Sequence, residues 1–82
     1  MQFKMLKALL TVNYDSEILE KIFSMEEKEF ANDRASYIVS LKNNVLEFDV
    51  KAKDSVAMRS VLNTITKILT VYEKTKEAIK DE

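Results

Sequence analysis

Neither glycine nor proline occurs at any of the 82 positions. Chain reversals must therefore be built from Asn, Asp and Ser, which tolerate a left-handed backbone or bond their own main chain. Each cluster of these residues becomes a boundary marker. Asn43-Asn44 is the clearest, because it sits between two segments of strict two-residue alternation. Asn accepts the positive φ that a two-residue hairpin turn demands. Setting Lys42 opposite Val45 and counting outward pairs Leu41 with Leu46, Val39 with Phe48, Tyr37 with Val50 and Ala35 with Ala52. Every pair on that face is apolar. A slip of one residue would bring Ser36 and Ser40 to the core positions, so the pattern fixes the register.

The rest of the chain falls into place around this hairpin. Residues 3–13 read as a first strand, with Leu6, Ala8, Leu10 and Val12 on one face and Lys7, Thr11 and Asn13 on the other. A helix over Met5 to Leu10 is the competing reading; the β-branched Thr11-Val12 pair and the stop that follows favour the strand. Asp15-Ser16 offers a helix start, with Glu17 in the first turn and Ile18, Leu19, Ile22 and Phe23 at helical spacing. This helix is expected over 16 to about 27, followed by a polar connection at 28–33 that ends in the Asn32-Asp33 break. After the hairpin, Asp54-Ser55 begins a long helix reaching about Lys80, with Met58, Ile65, Tyr72 and Ile79 recurring every seven residues. Asp15, Asp33 and Asp54 all stand at expected element starts and read as caps. The expected fold is a two-layer α+β domain over residues 1–82, ordered β-α-β-β-α. It has a three-stranded antiparallel sheet, the third strand in the middle, and two helices on one face.

Composition excludes several kinds of chemistry. Without glycine there is no Gly-rich phosphate loop. Without cysteine there is no disulfide framework and no thiolate metal site, which fits a reducing, cytoplasmic setting. Without histidine, the commonest general base and transition-metal ligand is missing, and Ser-His-Asp chemistry is ruled out. No apolar run approaches the length of a membrane span and no signal peptide is expected. Glu47 and Asp49 lie two apart on an outer strand face, too few oxygens for a Mg²⁺ site. Ser-Lys catalysis has no motif to mark it. The residues thus point to no catalytic group, no metal site and no cofactor. The net charge of −1 means that any nucleic-acid contact must come from a local patch.

Two apolar surfaces exceed what the fold needs. The last helix, about 39 Å long at 1.5 Å per residue, should overhang strands of about 30 Å, with Tyr72 and Ile79 near the overhang. A frayed terminus and a docking surface for another chain's helices both fit this geometry. On the sheet's outer face, Phe3, Met5, Leu9, Ile38 and Val45 make five hydrophobes where a solvated face needs none. Burial of that face, or of a strand edge, in a homodimer is the expectation. Arg59 and Asn63 lie one turn apart on the last helix. They read either as ordinary surface residues or as polar contacts to a partner or an RNA phosphate, with Lys51 and Lys53 contributing. Tyr14, Tyr37 and Tyr72 do not interleave with basic residues as a base-stacking platform would.

The run Ala52-Lys53-Asp54-Ser55-Val56-Ala57-Met58-Arg59-Ser60-Val61-Leu62-Asn63 resembles the small dimerisation subunit of the KEOPS complex, the Pcc family, which includes the cancer/testis antigen-like proteins. The shared pattern is A-x-D-x-x-A-hydrophobic-R-x-x-hydrophobic-N, matched by Ala52, Asp54, Ala57, Met58, Arg59, Leu62 and Asn63. Arg34, with Ser36 two residues on, fits the family's Arg before the second strand. The length and element order agree as well. One departure is the segment from Ser24 to Asp33, which lacks the proline often found there. The resemblance implies a non-catalytic homodimer whose helices pack against the N-terminal helices of a sugar-kinase-like catalytic subunit. The complex installs threonylcarbamoyl on adenosine 37 of tRNA, and the small subunit bridges two catalytic assemblies. Carried onto this chain, Met58, Arg59, Leu62, Asn63, Ile65, Leu69 and Tyr72 become candidate partner contacts, mixing core and docking roles. Arg34, Lys51 and Lys53 become candidate tRNA contacts. The competing reading is a stand-alone α+β nucleic-acid-binding domain.

Overall fold

In the computed structural model, which describes residues 5–30 and 34–80, the elements are β1 (Leu6–Val12), α1 (Ser16–Phe30), β2 (Ala35–Lys42), β3 (Val45–Ala52) and α2 (Ser55–Lys80). The strands form one antiparallel sheet in the order β1-β3-β2. The β2–β3 hairpin has the register dictated by its alternation, from Lys42 opposite Val45 to Ala35 opposite Ala52. Asn43 and Asn44 carry φ values of 51° and 64°, the two consecutive left-handed residues of a type I′ turn.

The core follows from the central place of β3. Its inward residues Leu46, Phe48, Val50 and Ala52 each lie between a β1 and a β2 residue, and all are at most 1% exposed. Leu19 and Phe23 of α1, and Ala57, Val61 and Ile65 of α2, close over them. The Phe23 ring meets Phe48 edge-on at 4.6 Å between centroids and 76° between planes, the geometry that aromatic quadrupoles favour. Each such large side chain contributes about 1.5–3 kcal/mol through burial. Cover is thinner along the edge strand β1. There the inward-facing Leu6 is exposed, Ala8 and Leu10 are half-buried, and Val12 at the far end is buried.

The helix starts are held by different bonds. At α2 the Ala57 N–H donates to Asp54 Oδ1 at 2.8 Å and the Met58 N–H donates to the Asp54 carbonyl at 3.0 Å, so Asp54 caps the helix as its sequence position suggests. At α1 the Ser16 hydroxyl, buried, donates to the Asn44 carbonyl at 2.7 Å and ties the helix start to the hairpin turn. Asp15 stands at the N-cap position of α1, but its carboxylate does not supply the expected side-chain cap. Its backbone is left-handed at φ 48°, and its carboxylate binds residues of α2 instead.

A second difference concerns length. α1 continues to Phe30 where a polar connection was expected from residue 28. The segment Met25-Glu26-Glu27-Lys28-Glu29 consists of strong helix formers with no breaker, and this propensity prevails over polarity. Phe3 on the outer sheet face, the Asn32-Asp33 break and the Asp33 cap lie outside the described residues.

Candidate docking surfaces

The outer face of the sheet is ordered in rows by the register. Leu9, Asp49 and Ile38 stand side by side across the three strands, with Leu9 and Ile38 64% and 58% exposed. Met5 is exposed as well, and Val45 is half-buried. Next to this row, toward the open end of the hairpin, Lys7 lies directly opposite Lys51. Toward the turn, Thr11, Glu47 and Ser40 form the following row. The middle row thus sets two exposed hydrophobes on either side of the exposed Asp49, with a basic pair at one end of the face and Glu47 toward the other.

The candidate RNA contacts gather at the basic end. Arg34, Lys51 and Lys53 line one shallow depression with Met5, Ser36 and Ala52. The Lys53 N–H donates to the Arg34 carbonyl at 2.9 Å, which holds the two ends of the hairpin together. The Arg34 guanidinium donates to Asp54 at 2.6 Å, with both side chains largely exposed. The Ala57 N–H and then the Arg34 guanidinium hold the Asp54 carboxyl below its ordinary pKa of 3.8.

The helical face carries the second apolar surface. Ile22 of α1 and Thr64, Lys67, Ile68, Val71, Tyr72 and Thr75 of α2 line an open groove of about 620 Å³. Of the candidate partner contacts, Ile65 is fully buried in the core. Met58, Leu62, Leu69 and Tyr72 are half-buried around the core, and Arg59 and Asn63 are exposed. Tyr72 alone among these seven lines the groove. Ile22, Ile68 and Val71 were not singled out as contacts from the sequence. Their spacing on two separate helices carries no local sign that the helices leave a gap between them.

Tyr72, expected near the overhang, is bonded to the body of the protein. Its hydroxyl donates to Asp15 Oδ2 at 2.8 Å, and Lys76 Nζ donates to the same oxygen at 2.5 Å. The neighbouring Tyr14 hydroxyl donates to Glu73 Oε2. Lys76, then Tyr72, hold the Asp15 carboxyl below its ordinary range. The bond to Glu73 pushes the Tyr14 phenol up to about 12. These partners lie 57 to 61 residues apart, beyond the reach of any periodicity. The helix does extend past them, and Ile79 is 69% exposed.

The chemistry on offer is hydrogen bonding, charge pairing and apolar contact. Among the described residues no three His, Cys, Asp or Glu side chains gather as a metal site, and no helix is long and apolar enough to cross a membrane.

Comparison with known proteins gives one finding. No curated protein and no solved structure matched the chain. The sequence model of the family described as "Transcription factor Pcc1" matches residues 6–77, from the start of β1 into the last turns of α2. That span contains the hairpin, the capped strand-to-helix joint, the helical groove and the Leu9–Asp49–Ile38 row. The chain therefore belongs to the Pcc1 family, the family of the KEOPS-complex subunit.

Proposed function

We propose that this chain is a dimerising, non-catalytic scaffold of the cytoplasmic KEOPS assembly, which makes N6-threonylcarbamoyladenosine at position 37 of tRNA. The observation that carries this reading is the pair of apolar surfaces on opposite sides of a two-layer domain. A subunit that bridges others needs two contact surfaces that do not overlap. The sheet's outer face and the helical groove meet that need.

The outer face suits a second copy of the same chain. A two-fold axis lying across the strands through the Leu9–Asp49–Ile38 row stacks Leu9 and Ile38 on their counterparts and faces the two Asp49 carboxylates as a like-charge pair at its centre. It also turns the basic end of one copy, with Lys7 and Lys51, toward Glu47 of the other. Such self-complementarity is what an isologous interface requires. The groove between α1 and α2, with Ile22, Ile68, Val71 and Tyr72, suits the N-terminal helices of the sugar-kinase-like catalytic subunit, and Met58, Leu62 and Leu69 with Arg59 and Asn63 offer further contacts along α2 outside it. Arg34, Lys51 and Lys53 form a basic corner suited to tRNA phosphates within the complex.

Co-expression with the catalytic subunit tests the scaffold reading. Both proteins should co-purify, and Val71→Asp, on the exposed wall of the groove, should release the catalytic subunit while the small chain stays folded. Co-purification undiminished by Val71→Asp and by a second change, Ile68→Asp, would contradict the groove assignment. The competing reading, a stand-alone nucleic-acid binder, predicts tight tRNA binding by the isolated chain with a steep salt dependence. The scaffold reading predicts weak binding alone.

A further inference from the structure

We infer that Asp15 is a latch that holds the C-terminal part of α2 at a fixed angle to the domain. The need for one follows from where packing ends. Ile65 is the last fully buried residue of α2 and Tyr72 the last half-buried one; every side chain from Glu73 to Ile79 is exposed. The seven residues past Tyr72 therefore bury no side chain against the core.

Tyr72 and, on this stretch, Glu73 and Lys76 reach back to two consecutive residues of the β1–α1 joint. Tyr72 and Lys76, one turn apart, both bond Asp15 Oδ2, and Glu73 accepts from Tyr14. The joint is shaped for this contact. Asp15 starts α1 in the usual way, its carbonyl accepting the Leu19 N–H at 2.9 Å. Its left-handed φ of 48° turns the carboxylate away from the helix it precedes and toward α2. A left-handed non-glycine residue is disfavoured and persists where surrounding contacts over-determine it. The two donors on the carboxylate supply such contacts, and Asp is among the few side chains that tolerate the conformation.

Hydrogen exchange on the full-length chain, read residue by residue, tests the latch. Asp15→Gly is the informative variant, because glycine keeps the left-handed joint and removes the carboxylate. Loss of a bond of ordinary strength should speed exchange of the amides at 73–79 by about three- to tenfold. The amides at 57–65, over the sheet, should keep their wild-type rates. A second variant, Tyr72→Phe with Lys76→Met, removes the donors but keeps the stems, and should reproduce the same localised effect. Unchanged rates at 73–79 in either variant would overturn the inference. So would an equal rise along the whole helix, which would mark a general loss of stability instead of a released tail.

Discussion

Two aspartates in this chain precede a serine at a helix start, and they do opposite work. Asp54 accepts the N–H three residues ahead and caps α2, while Asp15 reaches across 57 and 61 residues to Tyr72 and Lys76. The sequence makes them look alike because the cap signature is local, and the feature that separates them, the backbone angle at Asp15, is set by tertiary contacts. Both carboxyls are held below the ordinary 3.8. Each therefore contributes stability that is present above that pH and is lost as pH falls through the lowered folded value. The melting temperature should stay level from neutral pH down to the region of pH 4 and then decline. Circular dichroism melts of Asp15→Asn combined with Asp54→Asn should show a shallower acid decline and a lower plateau. At the alkaline end, Tyr14 faces Glu73, Asp15 and Tyr72, and its pKa is raised from 10.0 to about 12. Its contribution is complete below pH 10 and is lost between that value and about 12. Tyr14→Phe should remove this part of the alkaline decline in the same melts.

At the scale of elements, the hairpin was legible in the sequence to the residue. Alternation fixed which face is apolar, and two asparagines in a chain without glycine fixed where it turns. The cap of α2 and the central position of β3 were legible for similar local reasons. The end of α1 was not, because polar helix formers from Glu26 to Glu29 read equally well as a solvated connection. The groove and the Asp15 contacts were not, because they depend on how two helices settle on one sheet. The turn gives a direct test. Asn44 is left-handed at φ 64°, so Asn44→Gly should hold or raise the midpoint of urea unfolding. Asn44→Val forces a β-branched residue into that conformation and should cost about 1–2 kcal/mol.

At the scale of the molecule, a small domain spends its core on one side of its sheet and leaves Leu9 and Ile38 exposed among charged residues on the other. The core is small enough that single truncations are severe. Phe48→Ala, in the central strand between Leu10 and Val39 and against Phe23 of α1, should cost about 3–5 kcal/mol. That is a large share of the 5–15 kcal/mol typical of a whole domain, and urea unfolding measures it. The outer face is different in kind: Leu9 and Ile38 lie outside the core, and the proposed dimer would cover them. Membership of the Pcc1 family places the chain in a multi-subunit complex. Sedimentation equilibrium of the purified chain at micromolar concentration tests this central claim most directly. The account predicts a mass of twice 9.5 kDa, reduced to a single chain by Ile38→Asp with the fold intact. A wild-type chain that sediments as a monomer across that range would contradict it.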